Sequence, residues 1–255
     1  MIPCRAMELK DRVALVTGGS GDLGAVIARA LATAGAHVAV GYVGNLEAAQ
    51  RTRQSVEALG SRAWIVQLDQ AEPASIERAV DATVRELGSL DVLVNNAAWN
   101  IGIPFPDLDT LTPEIWDRIQ DTNARGPYVL ARAAARPMRE RGGGRIVNIA
   151  SIGGLRPGGS SIAYAVSKAA LIHLTRCLAV ALAPDITVNC VAPGLMEGTR
   201  MAQRLPPAVA ESARQLAVLR RTTSMDDVAD QVVTFCRASS VTGQVLVIDG
   251  GVHFH

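Results

Sequence analysis

Tyr164 and Lys168 stand four positions apart, and Ser151 lies thirteen residues before the tyrosine; these are the side chains best placed to do chemistry in the 255-residue chain. The chain holds only two lysines, Lys10 and Lys168, so 23 of its 25 basic residues are arginine. Residues four apart share a helix face, so the ammonium can sit beneath the phenol. A phenol titrates at about 10 in water and exchanges protons poorly at neutral pH. A nearby cation stabilises phenolate and draws that pKa downward. A compact, flexible ammonium fits this task better than a rigid guanidinium fork. By itself the step is also what chance can place on any helix.

The elements that must position these residues are legible as alternating patterns. Apolar runs at 12–17, 37–42, 63–68, 90–94, 145–150, 186–191 and 244–248 read as strands. Amphipathic stretches near 23–34, 46–59, 73–87, 113–140, 161–183 and 226–237 read as helices. This alternation predicts an α/β chain: a single doubly wound Rossmann domain over 7–255, with a seven-stranded parallel sheet and helices on both faces. Ligands of such sheets bind beyond the carboxyl ends of the strands. The glycines at 142–144 read as the turn into a strand. Segment 192–225 is too long for a plain connection and reads as a substrate loop or lid. Residues 1–6 precede Met7, which looks like a natural start, and read as a disordered extension.

Composition narrows the function. Hydrophobic residues make up 49% and the formal net charge is +1, which gives no field for nucleic acid or a membrane surface. No run approaches the ~20 apolar residues of a membrane span. Cys4, Cys177, Cys190 and Cys236 lack paired or metal-like spacing and read as reduced fillers of a cytoplasmic protein. His253 and His255 form an incomplete ligand set, so no metal is expected.

The first strand runs into Thr17-Gly18-Gly19-Ser20-Gly21-Asp22-Leu23-Gly24 at the start of a helix. Glycines there allow a tight turn and bring backbone N–H groups close to a pyrophosphate at the helix N-terminus. Two registers compete. One spells Gly-x-Gly-x-x-Gly; the other is Thr-Gly-x-x-x-Gly-x-Gly with Asp22 replacing the middle glycine.

The second register resembles the short-chain dehydrogenase/reductase family. Asn95-Asn96-Ala97-Ala98, Asn123, Ser151, Tyr164, Lys168, Pro193-Gly194, Thr242-Gly243-Gln244 and Asp249-Gly250-Gly251 follow in that family's order, across about 7–251. The resemblance implies an NAD(P)-dependent oxidoreductase that moves hydride between nicotinamide and a carbonyl or secondary alcohol. Tyr164 would be the general acid in reduction, with Lys168 lowering its pKa and binding the nicotinamide ribose. Ser151 would hydrogen-bond the substrate oxygen, or only cap a strand end. Asn123 would hold a water that links Lys168 to solvent, or only kink its helix.

Cofactor contacts are expected from Gly18, Ser20, Gly21, Asp22, Leu23, Gly24, Tyr42, Asn45, Asp69, Gln70, Asn95, Ala97, Tyr164, Lys168, Pro193, Gly194, Met196 and Thr199. The stretch Gly41-Tyr42-Val43-Gly44-Asn45 lacks the acid that would repel a 2′-phosphate, which favours NADP(H) while leaving NAD(H) open. Asp69 would accept from the adenine amino group, or cap the next helix. Asp22 would cap the turn or face outward, and Thr199 stands one place later than the family's threonine.

The substrate end reads as apolar: Trp99, Ile101, Ile103, Phe105, Leu155, Leu195 and Met196, with Trp99 and Leu195 the named substrate contacts beside Ser151 and Tyr164. A small-molecule ketone reductase or alcohol dehydrogenase is expected, with a 3-oxoacyl-acyl-carrier-protein reductase as the alternative. For the alternative, Arg139 and Arg141 would have to supply the basic landing surface. A non-catalytic dinucleotide sensor is the rival of another class. The resemblance also implies a homotetramer (or homodimer) packed through 113–140 and 161–183, whose Ala131, Ala133, Ala134, Ala135, Ala170 and Ala179 read as small outward residues.

Overall fold

The computed structural model describes residues 6–203 and 205–254. Residues 1–5 of the expected extension, Cys4 among them, and His255 of the His-x-His pair lie outside the described residues. Met7 is already tied to the fold, its N–H donating to the Arg237 carbonyl at 3.0 Å.

Among the described residues seven strands form: β1 (Val13–Val16), β2 (His37–Tyr42), β3 (Ala63–Gln67), β4 (Val92–Asn95), β5 (Gly144–Ile149), β6 (Ile186–Pro193) and β7 (Val245–Ile248). They make one sheet in the order β3-β2-β1-β4-β5-β6-β7, with every pairing parallel. The helices are α1 (Asp22–Thr33), α2 (Leu46–Glu57), α3 (Pro73–Leu87), α4 (Pro113–Gln120), α5 (Gly126–Glu140), α6 (Ile162–Ala181), α7 (Arg200–Gln203), α8 (Pro207–Leu216) and α9 (Met225–Arg237).

Side chains alternate across the sheet, so β1 feeds two cores. Ala14 and Val16 face Ile27, Leu31 and Val232 of α1 and α9. Val13 and Leu15 face Ile76, Leu130 and Met138 of α3 and α5. Both faces are therefore covered, as the continuous apolar runs require. The strand order reverses between β1 and β4, which opens a crevice beyond their carboxyl ends.

Three expectations need correction. The helix expected over 113–140 is broken by a π-helical turn, Asp121–Arg125, between α4 and α5. Segment 192–225 is not irregular throughout, since it carries α7 and α8. Ala131, Ala134, Ala135 and Ala179 are buried in the chain's own core and do not face outward, whereas Ala170 is exposed and Ala133 half-buried. A 3.6-residue period cannot tell which neighbour an alanine stripe packs against. Helix α6 is long and apolar enough to cross a membrane by composition alone, yet it packs on β6 and is half buried.

Candidate active site

Helix α6 begins at Ser161, whose hydroxyl accepts from the Tyr164 N–H at 3.2 Å. That cap fixes Tyr164 and Lys168 on the buried side of α6, 6% and 2% exposed. Ser151 follows β5, where its Oγ accepts from the Gly153 N–H at 3.1 Å and opens a 3₁₀ turn, Ile152–Gly154. The same side chain hydrogen-bonds Tyr164. Its capping role and its contact with the phenol thus coexist.

Charge in this cluster runs against one expectation. Burial pushes the Tyr164 pKa up to about 12, only partly offset by the Ser151 hydrogen bond. Burial also brings Lys168 down to about 8, with the neighbouring Cys190 acting in the opposite sense. The Lys168 ammonium donates to the Ile149 carbonyl at 2.9 Å and lies 5.6 Å from the Tyr164 ring centroid. The phenol is therefore not made acidic by its lysine in this structure. Desolvation of phenolate is the largest influence, and a period-four reading cannot weigh it.

Asn123 sits in the π-helical turn and is buried. Its Oδ1 accepts from the Trp99 N–H at 2.8 Å, while its Nδ2 donates to the Trp99 carbonyl at 2.9 Å and to Ser167 Oγ at 3.1 Å. Ser167 in turn donates to the Tyr164 carbonyl at 2.7 Å. The side chain expected to hold a water is committed to positioning Trp99. The Trp99 indole, half-buried, lies under Arg118 of α4, whose guanidinium carbon is 4.2 Å from the ring centroid.

At the other end of the crevice, Gly18 adopts φ +61°, which favours glycine. A side chain on Gly24 would collide with the Gly18 carbonyl and come within 2.8 Å of Asn96 Nδ2. The first turn of α1 has no side-chain cap at Gly21, so no side chain at that position satisfies its leading N–H groups. Thr17 and Asn96 hold this turn to β4: Thr17 Oγ1 accepts from the Asn96 and Ala97 N–H groups at 3.0 and 2.9 Å, and Asn96 Nδ2 donates to the Thr17 carbonyl at 2.9 Å. Such a cradle, which side chains would fill, fits a pyrophosphate. Asp22 faces outward to Arg200, whose N–H donates to its Oδ2 at 2.7 Å.

Several expected cofactor residues do scaffold work here. Asn95 is buried in the sheet and donates to Asn148 at 2.8 Å. Gln70 is buried and donates to the Ala97 and Thr122 carbonyls at 2.8 and 2.6 Å. Asn45 caps α2, accepting from the Ala48 N–H at 2.9 Å. Asp69 accepts from the Ala71 N–H at 3.0 Å, closing a turn. Thr199 donates its hydroxyl proton to the Met196 carbonyl at 2.9 Å. Tyr42, Leu23 and Met196 pack on the core, and Ser20 and Gly21 remain half-buried on the turn.

Pro193 ends β6, and Gly194 lies so close to Asp249 and Thr223 that a side chain would approach them to 2.9 and 2.8 Å. Leu195 is half-buried and its carbonyl accepts from Thr223 at 2.8 Å. Ile103, expected to line the substrate site, is core at 4% exposed, and Ile101 is exposed. A cavity of about 440 Å³ borders β7 and one of about 350 Å³ lies beside Phe105 and Leu155; Tyr164 lines neither.

A family model described as enoyl-(acyl carrier protein) reductase matches residues 20–253. The chain belongs to the short-chain dehydrogenase/reductase family. It is an NAD(P)-dependent dehydrogenase/reductase with ketoreductase relatives. A protein assigned as ketoacyl reductase 2 of the granaticin polyketide synthase of Streptomyces violaceoruber is 42% identical over 94% of this chain and 96% of its own. A short-chain dehydrogenase from Burkholderia cenocepacia, solved in complex with NADP, superposes with a TM-score of 0.88 at 40% identity, covering 96% of this chain and 99% of that one. A 7α-hydroxysteroid dehydrogenase complexed with NADH and 7-oxo glycochenodeoxycholic acid gives 0.89 at 31% identity, covering 97% and 95%.

Within this family fold, sequence reasoning gave no role to Thr17, Asn96, Ser167, Arg118 or Arg200. The Asn95–Asn96 pair did carry a signal. A strand that ends at Asn95 keeps that side chain in the sheet, and the residue past its end is free to reach the turn. Nothing local in the sequence brings Arg200 to Asp22, which is 178 positions away.

Proposed function

We propose that the protein is an NADPH-dependent carbonyl reductase acting on an apolar ketone, with Tyr164 as proton donor. The observation that supports this is the cluster of buried Tyr164 and Lys168 with half-buried Ser151 hydrogen-bonded to the phenol. With a pKa of about 12 the phenol stays protonated at neutral pH, which is the form that reduction needs. The nicotinamide, when bound, supplies the hydride to the carbonyl carbon. Tyr164 gives its proton to the carbonyl oxygen, while Ser151 donates a hydrogen bond to that oxygen as charge develops. Lys168, with a pKa of about 8, holds a proton near neutral pH and so can replace the one Tyr164 gives up; it also binds the nicotinamide ribose. Asn123 positions Trp99 against the substrate, with Leu155 and Leu195 supplying further apolar surface.

The preference for NADPH rests on the end of β2, where Val43, Gly44 and Asn45 are exposed and offer no carboxylate. The NADP complex of the Burkholderia relative is consistent with it. The free Cys177, Cys190 and Cys236 support a reducing, cytoplasmic setting. Exposed Tyr128, Val166 and Val180 on α5 and α6 support assembly as a homotetramer through these helices.

A second reading, reduction of a carrier-bound 3-oxoacyl group, is favoured by the likeness to a polyketide ketoacyl reductase. Against it, Arg139 is already paired with Asp185 at 3.2 Å, which leaves Arg141 to meet an acidic carrier. The test is NADPH consumption at 340 nm with a panel of apolar ketones and acyl thioesters. Turnover of free ketones is the expected result. Turnover of thioesters alone would transfer the assignment to the second reading, and turnover with NADH alone would overturn the cofactor preference.

A further inference from the structure

Asp22 occupies the place of the middle glycine, in the first turn of α1, where a carboxylate would repel the phosphates that this turn is built to receive. The structure gives that carboxylate a partner. Its Oδ2 accepts from the Arg200 backbone N–H at 2.7 Å and lies 3.6 Å from Arg200 Nε. The same guanidinium reaches across the turn, with Nη2 3.6 Å from where a Cβ on Gly21 would stand. Among the described residues no hydrogen bond occupies the guanidinium, and with Nε turned to Asp22 its four Nη N–H donors are unspent. The nearest acid in its own loop, Glu197, is already held by Arg214 at 2.5 Å and Thr222 at 2.9 Å.

We propose that Arg200 is a dinucleotide-binding residue, seated by Asp22, that neutralises Asp22 at the glycine-rich turn and offers its free donors to the pyrophosphate. Asp22 is then a positioning residue, and α7 and the lid are drawn onto the turn by the same pair. A fork of donors suits two neighbouring phosphate groups, which a lone ammonium would meet only as a point charge. The inference deepens the proposed function and rests on its reading that NADP(H) binds at this turn.

The two residues must then be energetically coupled in cofactor binding, with a sign that a merely structural contact would not produce. The experiment measures Kd for NADPH by fluorescence, and for adenosine 2′-monophosphate by calorimetry, on wild type, Arg200→Ala, Asp22→Ala and the double variant. Arg200→Ala keeps the backbone N–H from which Asp22 accepts but removes the cation, leaving the carboxylate charge uncompensated at the turn, and is expected to weaken NADPH binding at least tenfold. Removing Asp22 as well should recover at least threefold of that loss. Adenosine 2′-monophosphate lacks the pyrophosphate, so its Kd should stay within twofold throughout. Arg200 is exposed, and thermal melts of each variant check that the fold survives. NADPH binding by Arg200→Ala within twofold of wild type would overturn the proposal. So would an equal loss with and without Asp22, or a matching loss for the monophosphate. A wild-type chain that binds neither NADPH nor NADH would overturn the underlying reading as well, which separates the two failures.

Discussion

Asn123 grips Trp99 by both main-chain polar groups, accepting from its N–H at 2.8 Å and donating to its carbonyl at 2.9 Å. Trp99 lies in the loop after β4, and the grip exists because the π-helical turn between α4 and α5 holds Asn123 buried. Asn123→Ala leaves buried polar groups unpaired and is expected to cost about 1–3 kcal/mol of stability. Under the proposed function Trp99 meets the substrate, so kcat/KM for the ketone should fall at least tenfold while NADPH Kd changes less than threefold. A variant that loses cofactor affinity instead would contradict this placement.

Lys168 should be a stability cost retained for function. Its folded-state pKa of about 8 lies below the ordinary lysine value of 10.5, so burying the ammonium disfavours folding most fully below about pH 8. That cost is relieved as pH rises towards 10.5. Lys168→Met is expected to raise unfolding free energy at pH 7 by up to about 3 kcal/mol, the equivalent of the shift at ~1.4 kcal/mol per unit. The gain should shrink towards pH 10, and turnover should be lost. Urea titrations at the two pH values check it; equal effects at both would refute the burial argument.

Thr17→Val keeps the shape of a buried side chain and removes the oxygen that accepts from the Asn96 and Ala97 N–H groups. Two amides are left without that partner, so a loss of about 2–4 kcal/mol is expected in chemical denaturation. NADPH affinity should fall with it, since the glycine-rich turn would no longer be tied to β4. A loss below ~0.5 kcal/mol would show that water replaces the hydroxyl.

Gly24→Ala places a methyl against the Gly18 carbonyl and Asn96 Nδ2. The turn must shift outward, and NADPH Kd is expected to rise at least 30-fold by fluorescence titration. The packing strain should cost about 1–3 kcal/mol. Unchanged affinity would mean that the pyrophosphate does not lie on this turn.

The strands and most helices were legible in the sequence because a parallel sheet buried on both faces leaves runs such as Val13–Val16 nearly free of polar residues. Ser151, Tyr164 and Lys168 were equally legible, since their spacing and order survive without knowledge of the surroundings. The Tyr164 pKa was not, because its direction depends on how completely neighbouring elements exclude water. The scaffold bonds of the Asn95 and Gln70 side chains were hidden for a related reason. A polar residue beside a binding crevice looks the same in sequence whether it faces a ligand or a neighbouring strand. The π-helical turn at 121–125 was not read, since helical spacing continues on either side of it and the stretch 113–140 passes for one helix.

Tyr164 as the proton donor is the central assignment. The measurement is NADPH consumption by Tyr164→Phe at pH 7 with a ketone that the wild type reduces, alongside NADPH Kd for the same variant. Turnover should fall by about 10²–10⁴-fold, the usual worth of a positioned acid, with NADPH Kd within threefold of wild type. Turnover close to wild type, with NADPH bound, would contradict the assignment and require another group to deliver the proton.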